Sequence, residues 1–129
     1  MTAVLTVATW YAGVYVGRGL YCGGVYAETT EPWVALPIQD ASWRCGDLAA
    51  IEFIGETAAD HQVLMARVLD AGPFGDNCVI RGDRCVPIAV DVPRHLWPDA
   101  LEGNLSAPVR VTNVTALYRE SCDLIKGHQ

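Results

Sequence analysis

Residues 62–75 read Gln62-Val63-Leu64-Met65-Ala66-Arg67-Val68-Leu69-Asp70-Ala71-Gly72-Pro73-Phe74-Gly75, and whether they form helix or strand decides the fold. Composition alone allows a helix. The apolar run is short, however, and stops sharply at Ala-Gly-Pro-Phe-Gly, so a buried strand fits better. Outward from it, Val4–Tyr11 alternates β-branched and aromatic residues on two faces, which favours a strand. Asp47–Ile54 after Cys45-Gly46, Pro87–Val92 and the alternating Pro108–Leu117 read as further strands, and Trp33–Ile38 is a short apolar run punctuated by prolines. Gly55–Asp60 reads as a turn. Pro93–Trp97 reads as one helical turn, with Pro93 near the first helical position and Pro98 closing it. Between Ala12 and Glu31 lie five glycines together with Tyr15, Tyr21 and Tyr26, the composition of a long ordered loop. Loops of that length in a compact domain are usually functional. Short strands, turns and one brief helix predict a small all-β barrel or sandwich, with residues 1–118 as the domain and 119–129 as a peripheral tail.

The 129 residues are 51% hydrophobic and 19% charged, enough for a single domain with its own core. Fifteen acidic residues against nine basic ones give a net charge of −6. That balance argues against nucleic-acid partners and anionic membrane surfaces, which need positive charge to offset repulsion. No stretch approaches the ~20 apolar residues of a membrane span, and the numbered chain opens without the basic and apolar regions of a signal peptide. The cysteines are Cys22, Cys45, Cys78, Cys85 and Cys122. No C-x-x-C pair or zinc-finger histidine accompanies them, so neither a metal nor another cofactor is expected. Cys78 and Cys85 bracket a Gly-Asp turn signal and are placed to bridge across a hairpin. An odd number leaves one thiol over, and Cys122 in the polar tail is the expected one. Paired cysteines predict an oxidising location: extracellular, periplasmic or on a virion.

The order of local patterns is informative. It runs Ala8-Thr9-Trp10-Tyr11-Ala12-Gly13, the Gly/Tyr loop, Ala35-Leu36-Pro37, Cys45-Gly46-Asp47, then Arg67-Val68-Leu69-Asp70-Ala71-Gly72-Pro73-Phe74, Ile88-Ala89-Val90-Asp91-Val92 and Val109-Arg110-Val111-Thr112-Asn113-Val114. Over about residues 5–115 this resembles the double-psi β-barrel of the rare lipoprotein A family, related to expansins and barwin-type proteins. The most specific part is the Arg67–Phe74 strand and turn, followed by an aspartate ending a strand at Asp91. The resemblance implies a six-stranded double-psi barrel with one short helix and a groove for extended glycan. It further implies binding of peptidoglycan strands and, in the enzymes of the family, their cleavage by lytic transglycosylation. That reaction needs one carboxyl to protonate the glycosidic oxygen and then take the hydroxyl proton of the closing muramic sugar. Hydrolysis would need a second carboxylate to act on water or sugar.

By the same resemblance Asp70 and Asp91 are the candidate catalytic residues, and Thr9, Trp10, Tyr11 and Phe74 the candidate substrate-binding ones. Aromatic rings suit a sugar because a pyranose C–H face packs on them while their polar tips stay wet. Each assignment has a purely structural counterpart. An aspartate before Gly-Pro can accept N–H bonds from its own turn, and Asp91 can cap the following helix. Trp33, Trp43 and Trp97 read as core, and Asp47 as a structural turn residue.

The loop after the first strand departs from the family. Catalytic relatives carry a histidine, a glycine and then a glutamate there; Val16–Tyr26 contains neither polar residue, and Glu28 and Glu31 lie further on. A second reading therefore stays open: a non-catalytic structural or adhesion module in a phage tail or other extracellular assembly, partnered by other subunits or by its own copies. Arg81-Gly82-Asp83 is an adhesion-type tripeptide for which a Gly-Asp turn is sufficient reason. Asn104-Leu-Ser106 and Asn113-Val-Thr115 are glycosylation sequons only in a eukaryotic secretory route. His61, His95 and His128 are scattered and suggest no nucleophilic pair.

Overall fold

The computed structural model of the chain describes residues 6–11, 19–24, 32–38, 42–55, 61–73 and 78–127. Seven strands appear in the order β1 (Thr6–Tyr11), β2 (Trp33–Leu36), β3 (Leu48–Phe53), β4 (Gln62–Ala71), β5 (Cys78–Arg81), β6 (Arg84–Pro93) and β7 (Ser106–Asn113). Two single 3-10 turns, Arg94–Leu96 and Asp99–Leu101, precede β7, and a helix, α1 (Val114–Gly127), follows it. Residues 62–71 are thus strand.

Six strands close a barrel. The order β1-β7-β3-β4-β2-β6 returns to β1 through a parallel β1–β6 pairing, and β5 hangs from β6 as a hairpin. Among the described strands β1–β6 and β2–β4 pair parallel and the others pair antiparallel. This pairing scheme has an internal two-fold: exchanging β1, β2, β3 for β4, β6, β7 reproduces every neighbour. Closure gives each of the six barrel strands a neighbour on both sides, so the barrel needs no partner sheet.

The barrel interior is apolar and densely filled. Ala8, Val34, Leu36, Ile51, Phe53, Val68, Val90, Val92 and Val109 form one cluster, contributed by all six barrel strands. Trp97 closes one side, its ring edge-on to Phe53 at 5.4 Å between centroids. Trp33, Trp43 and Trp97 are all buried, as their sequence context suggests.

The C-terminal part differs from expectation. The strand predicted for Pro108–Leu117 begins at Ser106 and ends at Asn113, and most of the supposed tail is helix. Asn113 causes the switch: its Oδ1 accepts the Ala116 N–H at 3.0 Å, capping α1 three residues in. Its amide nitrogen donates to Asp47 Oδ2 at 3.0 Å and to the Ser42 carbonyl at 3.1 Å. Leu48 N–H donates to Thr115 Oγ1 at 2.8 Å, and Arg119 lies 3.8 Å from Asp47. Buried Asp47 therefore anchors the helix and has the structural role its turn suggests.

Two disulfides form, Cys22–Cys45 and Cys78–Cys85, with Cα atoms 5.6 and 5.4 Å apart, and Cys122 is free. Formed disulfides fit an oxidising, extracellular-type environment. Among the described residues no helix is long and apolar enough to cross a membrane.

Candidate functional site: a polar row across five strands

Pairing register places one row of residues side by side on the barrel face that points away from the core cluster. Asp70 on β4 opposes Ala35 on β2, Ala35 opposes Asp91 on β6, Asp91 opposes Thr9 on β1, and Thr9 opposes Ser106 on β7. Directly opposed residues point to the same face, so these side chains share one surface. Their neighbours Ala8, Val34, Val68, Val90 and Val92 point into the core.

Two register irregularities create the row. On β4 Leu69 is an extra residue, because Val34 pairs with Val68 but Ala35 pairs with Asp70. In an unbroken register Leu69 would oppose Ala35 and Asp70 would point inward. Between β1 and β6 the register shifts in the same way: Val7 pairs with Ile88 and Ala8 with Val90, which brings Asp91 rather than Val90 opposite Thr9. Bulges of this kind re-aim side chains, and they recur beside functional sites.

Asp91 is half-buried, and burial is the main influence raising its carboxyl above the ordinary value. A bond from the Thr9 hydroxyl to Asp91 Oδ1 pulls in the opposite direction by stabilising the charged form, and the nearby charge of Asp70 pushes it up again. Asp70 Oδ1 accepts the Tyr21 backbone N–H at 2.9 Å. Tyr21 belongs to a tight turn, Leu20–Gly24, in which Gly23 and Gly24 adopt the positive φ that side chains disfavour. Cys22 N–H donates to the Leu69 carbonyl at 3.0 Å, and the Cys22–Cys45 bridge ties this turn to the Cys45-Gly46 turn, where Gly46 N–H meets the Val68 carbonyl at 2.8 Å. The described part of the Gly/Tyr loop is thus pinned beside Asp70.

Both aspartates make contacts with distant parts of the chain. Asp70 is held by the loop across the barrel, and the Arg94–Leu96 turn carries no side-chain cap. Thr9 stands in the row. Tyr11 is half-buried with its ring edge-on to Trp33 at 5.9 Å. Trp10 packs against the core, donates its indole N–H to the Asn104 carbonyl at 2.9 Å, and carries the Arg94 guanidinium 4.8 Å above its ring. One face of Trp10 is therefore already stacked. Phe74, Tyr15, Tyr26, Glu28 and Glu31 lie outside the described residues.

Sequence reasoning missed Ala35 and Ser106. Ala35 is 3% exposed and separates the two carboxylates with the smallest side chain available. Ser106 was visible only as the end of a sequon. The other sequon asparagine, Asn113, is consumed by the helix cap and the Asp47 contact. His61 pairs with Glu52 at 2.7 Å on the outer face of β3–β4, apart from the row. Among the described residues no group of three or more His, Cys, Asp or Glu could hold a metal ion.

No family model matches this sequence, and a search of the curated proteins returns no match.

Proposed function

We propose that the chain is a cell-wall-directed barrel of the rare lipoprotein A type that binds peptidoglycan glycan strands across the polar row and cleaves them by lytic transglycosylation. The observation carrying this reading is the Asp70–Ala35–Asp91–Thr9 register. It puts one half-buried carboxyl, whose proton affinity burial raises, beside a hydroxyl on one side and a second carboxylate on the other. Asp91 acts as the acid, protonating the glycosidic oxygen as the bond to the muramic C1 breaks. The resulting carboxylate, still bonded by Thr9, then takes the proton of the sugar's own hydroxyl as that oxygen closes on C1, which returns Asp91 to its acid form. Asp70 favours the cationic character that develops at C1 and raises the proton affinity of Asp91. Its role is electrostatic, so a single carboxyl completes the proton cycle. The protein works outside the cytoplasm, in the periplasm or on an extracellular particle.

Digestion of purified peptidoglycan tests this. Release of anhydro-muramic ends by the native chain and not by Asp91→Asn is the expected result; retention on peptidoglycan without product would leave a binding module and remove the enzyme.

The second reading, a subunit of an extracellular assembly such as a phage tail, rests on α1. The helix docks through polar contacts at Thr115 and Arg119, while Leu117, Tyr118 and Leu124 are 54%, 73% and 67% exposed. An amphipathic helix ordinarily turns its apolar stripe inward, and exposed apolar stripes mark interaction surfaces. Absence of both binding and cleavage, with self-association in solution, would favour this reading.

A further inference from the structure

The Arg81-Gly82-Asp83-Arg84 segment closes the β5–β6 hairpin, with Arg81 directly opposite Arg84 and Gly82 at φ +65° in the turn. Like charges directly opposed across two strands destabilise the pairing. Here they are held together by the Cys78–Cys85 bridge, which joins the two strands diagonally one to three residues behind them. Asp83 in the turn offsets one of the two charges, which still leaves a local positive site on a chain whose net charge is −6. The hairpin tip is not isolated from the barrel. Arg81 Nη2 donates to Ser106 Oγ at 2.9 Å and to the Ser106 carbonyl at 3.4 Å. Ser106 is the last residue of the polar row, opposite Thr9. This contact fixes the guanidinium at the row's end and uses one of its nitrogens. The Nε and Nη1 N–H groups are not used by any described residue, and Arg84 is likewise exposed without a described acceptor.

We propose that Arg81 and Arg84 form an anion clasp at the β7 end of the polar row, so that the glycan lying on the row is an acidic one, recognised through a carboxylate or phosphate that it carries. Guanidinium forks match such oxyanions in geometry as well as charge. This rests on the glycan-binding reading above. Ser106, on which Arg81 is fixed, stands two strand spacings from Asp91 by way of Thr9, roughly 9.5 Å. The anion it reads is therefore on a neighbouring sugar rather than the one whose bond breaks. The tripeptide that looks like an adhesion motif thereby has a use within the barrel itself, with Arg81 turned onto Ser106.

Binding of the native chain to three immobilised polymers tests the proposal: peptide-free peptidoglycan strands with free lactyl carboxylates, the same strands with those carboxylates amidated, and a polyol-phosphate wall polymer. The expected result is about tenfold weaker retention on the amidated strands, with Arg81→Gln and Arg84→Gln each reproducing that loss on acidic strands and changing little on amidated ones. Preference for the phosphate polymer, lost in the same variants, would support the clasp and assign phosphate as its anion. Equal retention of acidic and amidated strands by the native chain would overturn the clasp and leave glycan binding standing. Retention on none of the polymers would overturn both. The amidated-strand comparison needs no variant, so a folding defect in Arg81→Gln cannot obscure the outcome.

Discussion

Thr9 and Asp91 face each other across the parallel β1–β6 pairing, and the Thr9 hydroxyl donates to Asp91 Oδ1. On the other side of Asp91, beyond Ala35, stands Asp70. The two neighbours act on the Asp91 proton in opposite senses: Asp70 raises its affinity by repulsion, and the Thr9 bond lowers it by stabilising the carboxylate.

Opposite substitutions should therefore move one titration in opposite directions. Asp70→Asn removes the repulsion and brings the Asp91 midpoint down; Thr9→Val removes the bond and sends it up. Carbon-detected NMR of the Asp91 carboxyl through a pH series reads this directly, with or without activity. If Asp91 is the acid, the rate of strand cleavage falls as pH rises through its midpoint, so that limb moves to lower pH in Asp70→Asn and to higher pH in Thr9→Val. Shifts of the same sign in both variants would contradict the arrangement.

A stability consequence follows from the same burial. Asp91 holds its proton more tightly folded than unfolded, so it favours the fold fully below the unfolded carboxyl value, near 3.8, and loses that contribution as pH rises through the raised folded value. At neutral pH the buried charge is a cost. Asp91→Asn removes the charge and keeps an oxygen for the Thr9 hydroxyl. It should raise the melting temperature at pH 7, have a smaller effect at pH 3, and lower cleavage by about 10²–10⁴-fold. Thermal denaturation at the two pH values, alongside the peptidoglycan assay, checks both halves. A variant less stable at pH 7 than the native chain would show that the carboxylate is structural.

Part of this site was legible in the sequence. Asp70 and Asp91 stand at strand ends beside Gly-Pro and a proline-started turn, and the alternation in β1 and the short, sharply ended apolar run of β4 put strands where strands are. The row itself was not legible, because it depends on the extra residues in β4 and β6. A bulge is a property of pairing between distant segments, and Leu69 carries no local mark of being one. The end of β7 was misread for a related reason. Val109 to Thr115 alternates like a strand, and only the side-chain bond from Asn113 to the Ala116 N–H turns the last part into helix. Asn-Val-Thr carries that capping signal, but the alternation around it is the stronger local pattern.

The Cys22–Cys45 bridge should matter to the site as well as to stability. It closes a segment with sequence separation 23, for which the chain-entropy model gives about 3.4 kcal/mol. It also holds the turn whose Tyr21 N–H supports Asp70. A Cys22→Ser, Cys45→Ser double variant should lose about that stability in chemical denaturation and show faster amide exchange at Tyr21 and Cys22. Removing Cys78 and Cys85 instead, with separation 7, should cost about 2.5 kcal/mol on the same model and leave exchange at Tyr21 unchanged.

Asn113 offers the sharpest test of how α1 is fastened to the barrel. Its Oδ1 caps the helix, while its Nδ2 bridges buried Asp47 and the Ser42 carbonyl. Asn113→Ala loses the cap and two donated bonds and leaves a carboxylate oxygen of Asp47 short of a donor, at a cost of about 2 kcal/mol. Asn113→Asp separates the two functions. A carboxylate caps a helix as well as an amide does, but it cannot donate to Asp47 and faces it with like charge. If the cap dominates, Asn113→Asp stays close to native stability; if the bridge to Asp47 dominates, it falls at least as far as Asn113→Ala. The burial of Asp47, at 5% exposed, decides for the bridge, because repulsion there is poorly screened by water. Urea denaturation of the pair at pH 7 should accordingly rank Asn113→Asp at or below Asn113→Ala. At pH 3, where the new carboxyl is largely protonated and can donate, Asn113→Asp should recover toward the native chain.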